Sequence, residues 1–564
     1  MDLKNTLAAV SLSAAVIIIY GLFFAEPPKN QEELLKEKDS DLIVNTEAPK
    51  IEEEVKINKI SREDAIKSTS RVYFENENIK GSISLTGGVI DDFEFKNYNK
   101  TLNSEEKIRL LNPMSLNEGY SFNVGWATND ETSTPNSNTI WNIEGNIKLT
   151  PNNPIKLYFE NEDGIRFERL ISLDDSYLFN IKQTLINNSE KSYKFYPYGI
   201  INRNSLPEDL TDFYIVHEGY SIINGDGDVE EVDYDDVLEK PFSKEESSGY
   251  LVVGDKYWMT SIIPDQSRKF RFDINYKKNY ASSYIDLNGY DSRPNTVTEH
   301  SINSLIGAKD IKQINKYKEQ LNIEKLDLIV NYGVLYFIIK PMHKILDYFY
   351  AFTGNYGWAI ILLTILVRVV FFPLNQYSMK SMGKMRSLAP QMETIKAQYK
   401  TDKVQMQKAT MELYRKNGVN PASSCFPILI QLPIFFSLYK LLLLDLAMRH
   451  SPWLWIWKDL SARDPTSFVN LFGLLPYEVP FEFLQVGILP VLMGGSMWLQ
   501  MRLSPQPSGN DEMQRIQKKL FSFFPLIITI VLAPFAAGLI LYWVATNCLT
   551  IIQQYIINRT ITVK

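Results

Sequence analysis

Apolar residues are segregated along this chain, and that segregation restricts the fold more than any single motif does. They gather in Leu7–Phe24 and again beyond Tyr332, whereas the intervening residues are polar and rich in Asn, Asp, Tyr and Ser. A hydrophobic content of 45% over 564 residues and a mean hydropathy of −0.16 fit a chain that is half aqueous and half embedded. The net charge of −7 comes mainly from the polar middle, which argues against a nucleic-acid site. The two cysteines, Cys425 and Cys548, both fall in apolar segments, so no disulfide framework is available.

The apolar segments divide by length into spans. Leu7–Phe24 is long enough to cross, and its exit Phe23-Phe24-Ala25-Glu26 is too bulky for cleavage, so residues 1–25 read as an uncleaved signal anchor. Further spans are expected at Trp358–Leu374, Cys425–Leu444 and Leu484–Met501. Leu520–Ile557, interrupted by Pro525, Pro534 and Gly538, is too long for one crossing and should fold as a helical hairpin, giving six spans. The loop after the second span is rich in Lys and Arg, from Lys380 to Lys416. The next, Asp445–Glu482, carries more acids than bases. Basic loops stay in the cytoplasm, so both termini should be cytoplasmic and the polar domain on the far side.

Residues 26–65 are dense in Lys and Glu and read as a flexible charged linker. From about Arg71 the pattern turns to period two. Phe270, Phe272, Ile274 and Tyr276 alternate with charged or polar neighbours, and Tyr177, Phe179 and Ile181 do the same. Gly87-Gly88 and Pro151-Asn152-Asn153-Pro154 mark turns. Residues 66–330 are therefore expected to form a large β-sandwich, closed by a helix from Ala308 to about Leu321.

Enzymatic motifs are scarce. Asn224-Gly225-Asp226-Gly227-Asp228 begins like a calcium loop, but Val229 stands where glycine is needed, which favours an acidic hairpin turn. His217, His300, His343 and His450 lack zinc-ligand spacing, and no phosphate-binding glycine loop precedes a Lys-Ser or Lys-Thr pair. The reading is of a non-enzyme without cofactor or metal.

Between domain and second span, Leu335, Ile338, Met342, Ile345, Phe349 and Phe352 recur at helical spacing. Residues 331–355 thus read either as an amphipathic helix in the membrane interface or as a helix packed on the soluble domain. Arg368 sits inside the apolar second span, where a guanidinium facing lipid would cost about 3 kcal/mol. It either snorkels to the cytoplasmic edge or faces a polar cavity.

Asn420-Pro421, the string Cys425-Phe426-Pro427-Ile428-Leu429-Ile430-Gln431-Leu432-Pro433-Ile434-Phe435-Phe436, Gly538-Leu539-Ile540-Leu541-Tyr542-Trp543, Asn547 and Thr550-Ile551-Ile552-Gln553-Gln554 accompany Arg368. Together these closely resemble the YidC family of bacterial inner-membrane insertases, related to mitochondrial and chloroplast insertases, over residues 330–557. The anchor and outer β-domain match the Gram-negative layout.

The resemblance implies a five-helix core in residues 356–564 around a hydrophilic groove open to cytoplasm and lipid. Its polar lining would come from Thr364, Arg368, Gln431, Ser437, Thr546 and Asn547, with Thr550 nearby. Each alone could be interhelical glue, and their convergence with Arg368 favours the groove. Leu432, Phe435 and Trp543 would form the apolar slide. Relatives often carry Met and Tyr at the positions of Leu432 and Trp543; the replacements keep greasy contact and remove a phenol there.

The implied partners are nascent membrane proteins, the Sec translocon, membrane lipid and, through the cytoplasmic loops, ribosome and signal-recognition components. A cytoplasmic helical hairpin is expected over residues 377–418, with Tyr377–Gln398 and Val404–Asn417 as its arms. Its methionines either meet clients or zip the arms together. The rival readings are a secondary transporter or channel using the same cavity, and an envelope scaffold binding through its β-domain.

Overall fold

The computed structural model describes residues 60–562 except 103, 208–209, 211–215, 401, 421–425, 468, 474, 476–484 and 504–511. The proposed anchor, nearly all of the linker, Pro421, Cys425 and the expected start of a span at Leu484 lie outside the described residues.

The polar middle is a β-sandwich. Among the described residues one sheet has eleven strands and the other nine, and nearly every pairing is antiparallel. In the smaller sheet Leu178–Asn187 pairs along its whole length with Thr296–Ala308, from Leu178 opposite Leu305 to Asn187 opposite Thr296. In the larger, Tyr193–Arg203 lies between Tyr120–Thr128 and Tyr280–Asp286. The alternation legible in the sequence is the inside–outside pattern: Phe270, Phe272 and Ile274 are buried, and Arg271 and Asp273 lie between them on the wetter face. Aromatic rings fill the space between sheets, with Phe179 set edge-on to Phe74 at 5.4 Å. Gly87 and Gly88, at φ 76° and 64°, make the turn into Val89–Asn99, a conformation that residues with a Cβ resist.

Several boundaries move from their expected places. A short helix α1 (Arg62–Lys67), capped by Ser61, occupies the end of the expected linker. Asn224 and Asp228 hydrogen-bond across the turn that joins Gly219–Asn224 to Val229–Asp233, the geometry of a β-hairpin. After α2 (Tyr234–Glu239), the expected helix at Ala308 begins later, as α3 (Ile311–Gln320). Ala308 is the buried end of a strand, and Asp310 accepts from Lys312 N and Gln313 N to start the helix.

Asp327 fastens this domain to the next helix, α4 (Tyr336–Thr353). It accepts from Lys318 of α3 at 3.1 Å, from Lys340 of α4 at 2.8 Å and from the Tyr336 hydroxyl. Burial alone would raise the Asp327 pKa, but these donors outweigh it and hold the carboxyl down at about 2. A depressed folded-state pKa contributes stability above the ordinary value of 3.8 that disappears as pH falls toward 2. Urea midpoints measured against pH should fall across that window in the native protein. Asp327→Asn should lack this component and be less stable at neutral pH; equal slopes would remove Asp327 from the linkage.

Helix α4 packs one face on its helical neighbours, chiefly the following helix Tyr356–Val370 and the helix Phe426–Leu444, and leaves another face open. Leu335 and Met342 of the expected apolar stripe are buried against the protein, while Val334, Phe337, Tyr348 and Phe352 form an exposed apolar stripe. The helix carries apolar residues on two sides, so one side packs and the other stays open.

The remaining helices are α5 (Tyr356–Val370), α6 (Phe372–Ser387), α7 (Ala389–Gln398), α8 (Lys403–Lys416), α9 (Phe426–Leu444), α10 (Ile488–Leu503), α11 (Glu512–Leu532) and α12 (Ala537–Thr562). The expected second span is thus two helices, α5 and α6, meeting at a 58° bend. Pro373 lies just past the break, where it cannot donate to the preceding turn. Pro390 similarly sits at the start of α7, so the first arm of the hairpin is split at Leu388. Met392 and Met406 are partly buried in the hairpin, and Met411 is exposed. The long apolar run is broken at residues 533–536 into α11 and α12, which both pack on α10 rather than along each other as a simple hairpin would. Among the described residues one helix, through Ala537–Ile556, is long and apolar enough to cross a membrane, and α5 with α6 passes as a bent pair.

Candidate functional site

Helix α12 forms the site's spine, packing against α5 and α10 and meeting α9 more sparsely. Its Tyr542 hydroxyl is the polar centre. Gln431 Nε2 of α9 donates to it at 2.8 Å, and Thr546 Oγ1 stands one turn along without closing a full hydrogen bond. Arg368, half-buried in the last turn of α5, lies within electrostatic reach of the same hydroxyl. Among the described residues Arg368 makes neither an ion pair nor a hydrogen bond. A guanidinium left unmatched in an apolar setting calls for water or a visiting acceptor.

The apolar slide residues also come together. Phe435 meets Trp543 edge-on with ring centroids 4.9 Å apart, and Leu432, one turn earlier on α9, is 37% exposed. Phe435 also stacks on Tyr439, which leans on Phe535. Polar and apolar surfaces therefore adjoin because Tyr542 and Trp543 are consecutive and point about 100° apart around one helix. Val369 and Val370, 64% and 63% exposed, place apolar surface directly beside Arg368.

Other expected groove residues are engaged elsewhere. Thr364 is buried and donates to Ile360 O at 2.7 Å within its own helix. Asn547 donates to Ser496 Oγ at 3.0 Å and Met493 O at 3.4 Å, joining α12 to α10. Thr550 bonds back to Thr546 O at 2.7 Å, and the buried Ser437 Oγ has no hydrogen-bond partner among the described residues. Tyr542 was the residue missed as a site component. The Tyr-Trp pair was visible, but sequence does not say which ring faces the polar side.

Two family profiles match successive parts of the chain: "YidC periplasmic domain" over residues 71–345 and "60Kd inner membrane protein" over residues 348–564. The "Membrane protein insertase YidC" of Pelagibacter ubique is 46% identical over 566 aligned residues, covering 100% of both chains. That of Brucella suis is 40% identical, covering 90% of this chain and 83% of its own. A solved structure titled "Active YidC insertase crystal structure with the first transmembrane domain resolved" aligns with 86% of this chain and 92% of its own, at 18% identity and a TM-score of 0.34. Matched end to end by the Pelagibacter ubique relative and in both halves by the profiles, the chain belongs to the YidC family of membrane protein insertases.

Proposed function

We propose that this chain inserts nascent inner-membrane proteins by lending a polar tail the surface around Arg368, Gln431, Tyr542 and Thr546, while the client's apolar segment moves over Leu432, Phe435 and Trp543. The observation that carries the reading is Arg368, unpaired among the described residues, beside a hydrogen-bonded polar pair, with exposed apolar side chains adjoining. Thr364 and Asn547 then act in packing, and Ser437 supplies a buried hydroxyl behind the site.

The energetics need no fuel. Twenty apolar residues gain roughly 6–12 kcal/mol on entering lipid. A contact between Arg368 and a client carboxylate at about 4 Å is worth about 4 kcal/mol at an effective dielectric near 20, enough to lower the penalty of carrying one charge. Partitioning of the client drives the process, and the arginine lowers its steepest step.

In the proposed arrangement six spans place both termini in the cytoplasm and the β-sandwich in the periplasm, as the loop charges support. Nascent membrane proteins are the substrates; the Sec translocon is a partner for some of them, and the loops including α6–α8 receive ribosome or signal-recognition components. A photo-crosslinker at Phe435 should capture the apolar segment of a ribosome-stalled membrane protein, and one at exposed Tyr73 on the sandwich should not. Equal capture at both positions would defeat the slide.

A further inference from the structure

A cavity of about 300 Å³ lies away from the groove, where the sandwich meets α4 and the loop after α9; its wall includes Asp310, Lys312, His343, Asp347, Asp445 and Arg449. Asp445 is only 4% exposed. Its Oδ1 accepts from Ala447 N at 3.0 Å, but Oδ2 has no hydrogen bond. Asp445 Oδ2 pairs with His343 Nε2 at 3.5 Å; His343 Nδ1 stands 3.7 Å from Asp347, and Lys312 Nζ 3.6 Å from Asp347. All three are long ion pairs, at or beyond the outer limit of a hydrogen bond, so the charges line the space without filling it.

Arg449 is held off: its Nη2 donates to Asn99 O at 2.7 Å and Lys100 O at 3.1 Å. Three carboxylates, Asp310, Asp347 and Asp445, thus share this wall with Lys312, which is paired with Asp347, and with His343, which stands between Asp347 and Asp445. A guest with several N–H donors and one adjoining negative charge would satisfy Asp445 Oδ2 and Asp347 while leaving its anion to Lys312 at the rim.

The surroundings name the source of such a guest. Lys344 and Tyr348 on α4 are one position beyond His343 and Asp347, and Tyr348, Phe337 and Phe352 are 70%, 68% and 80% exposed. On the nearby loop Trp455 is 83% exposed and Leu454 48%. An apolar stripe and an exposed tryptophan beside a charged cavity mark the level of the lipid headgroups. We propose that this cavity binds the headgroup of an ethanolamine phospholipid, its ammonium between Asp445 and Asp347, its phosphate toward Lys312 and its chains along the exposed face of α4.

The test is native mass spectrometry of the full-length protein in detergent with phosphatidylethanolamine, phosphatidylglycerol and phosphatidylcholine of identical acyl chains. The first lipid should be retained about tenfold over the others, and Asp445→Asn should abolish the preference. Asp347→Asn, which leaves the Ala447 cap intact, should do the same and covers the case in which the Asp445 variant misfolds. Free phosphoethanolamine should displace the lipid. No preference in the native protein, or a preference surviving both substitutions, would overturn the assignment. So would displacement by a lysine-bearing peptide and not by phosphoethanolamine, which would make the cavity a polypeptide site.

Discussion

Replacing Arg368 by glutamine is expected to slow insertion of clients whose translocated tail carries an acidic residue by about tenfold, and to leave clients with neutral tails nearly unchanged. The direction follows from geometry. Arg368 has no acidic partner among the described residues, so removing its charge leaves no orphaned carboxylate and should spare the fold. What is lost is attraction for a guest in a poorly hydrated place. The 4 kcal/mol available at close contact is an upper figure, because water at the groove mouth screens it. Arg368→Lys should retain most of the effect, since a point charge suffices where no bidentate partner is fixed. Protease protection of the tail in proteoliposomes reads the result. An equal fall for acidic and neutral tails would mean that Arg368 supports the helix and not the client.

The second large effect lies in the periplasmic sandwich. Phe179 is fully buried and sits edge-on to Phe74, so Phe179→Ala should destabilise that domain by about 3–5 kcal/mol through lost burial and the cavity left behind. Urea unfolding followed by tryptophan fluorescence should show an early transition, because Trp126, Trp141 and Trp258 are all buried in the domain. If the domain is accessory, insertion should persist at urea concentrations beyond that transition. Loss of insertion in step with fluorescence would make the sandwich part of the machine. Deleting residues 75–320 offers the same discrimination by a cruder route.

The sandwich was legible because a strand with one buried face writes its burial into alternate residues, as Phe270 to Ile274 show. Helix boundaries were less so. Asp310 decides where α3 starts through a side-chain cap, and the bend before Phe372 depends on Pro373 acting on the preceding turn. Span lengths drawn from hydropathy alone smooth over both. The candidate site was readable by residue type but not by direction. Gln431 donates to Tyr542, with Arg368 in electrostatic reach, and Phe435 meets Trp543, whereas Thr364 and Asn547 turn into hydrogen bonds with neighbouring backbone or serine. Amphipathic α4 defeated a one-face reading because its apolar residues lie on two sides and only one of those sides is buried.

At the elbow between α5 and α6 the carbonyl of Phe372 accepts from Gln553 Nε2 of α12 at 3.5 Å. The joint is therefore shared between two helices, and α6 cannot swing away without either losing that bond or drawing α12 along. Tyr542 lies eleven residues up the same rod, a lever of about 16 Å. If the proposed orientation holds, a partner bound at α6 would pull on the same rod that carries the Tyr542 hydroxyl.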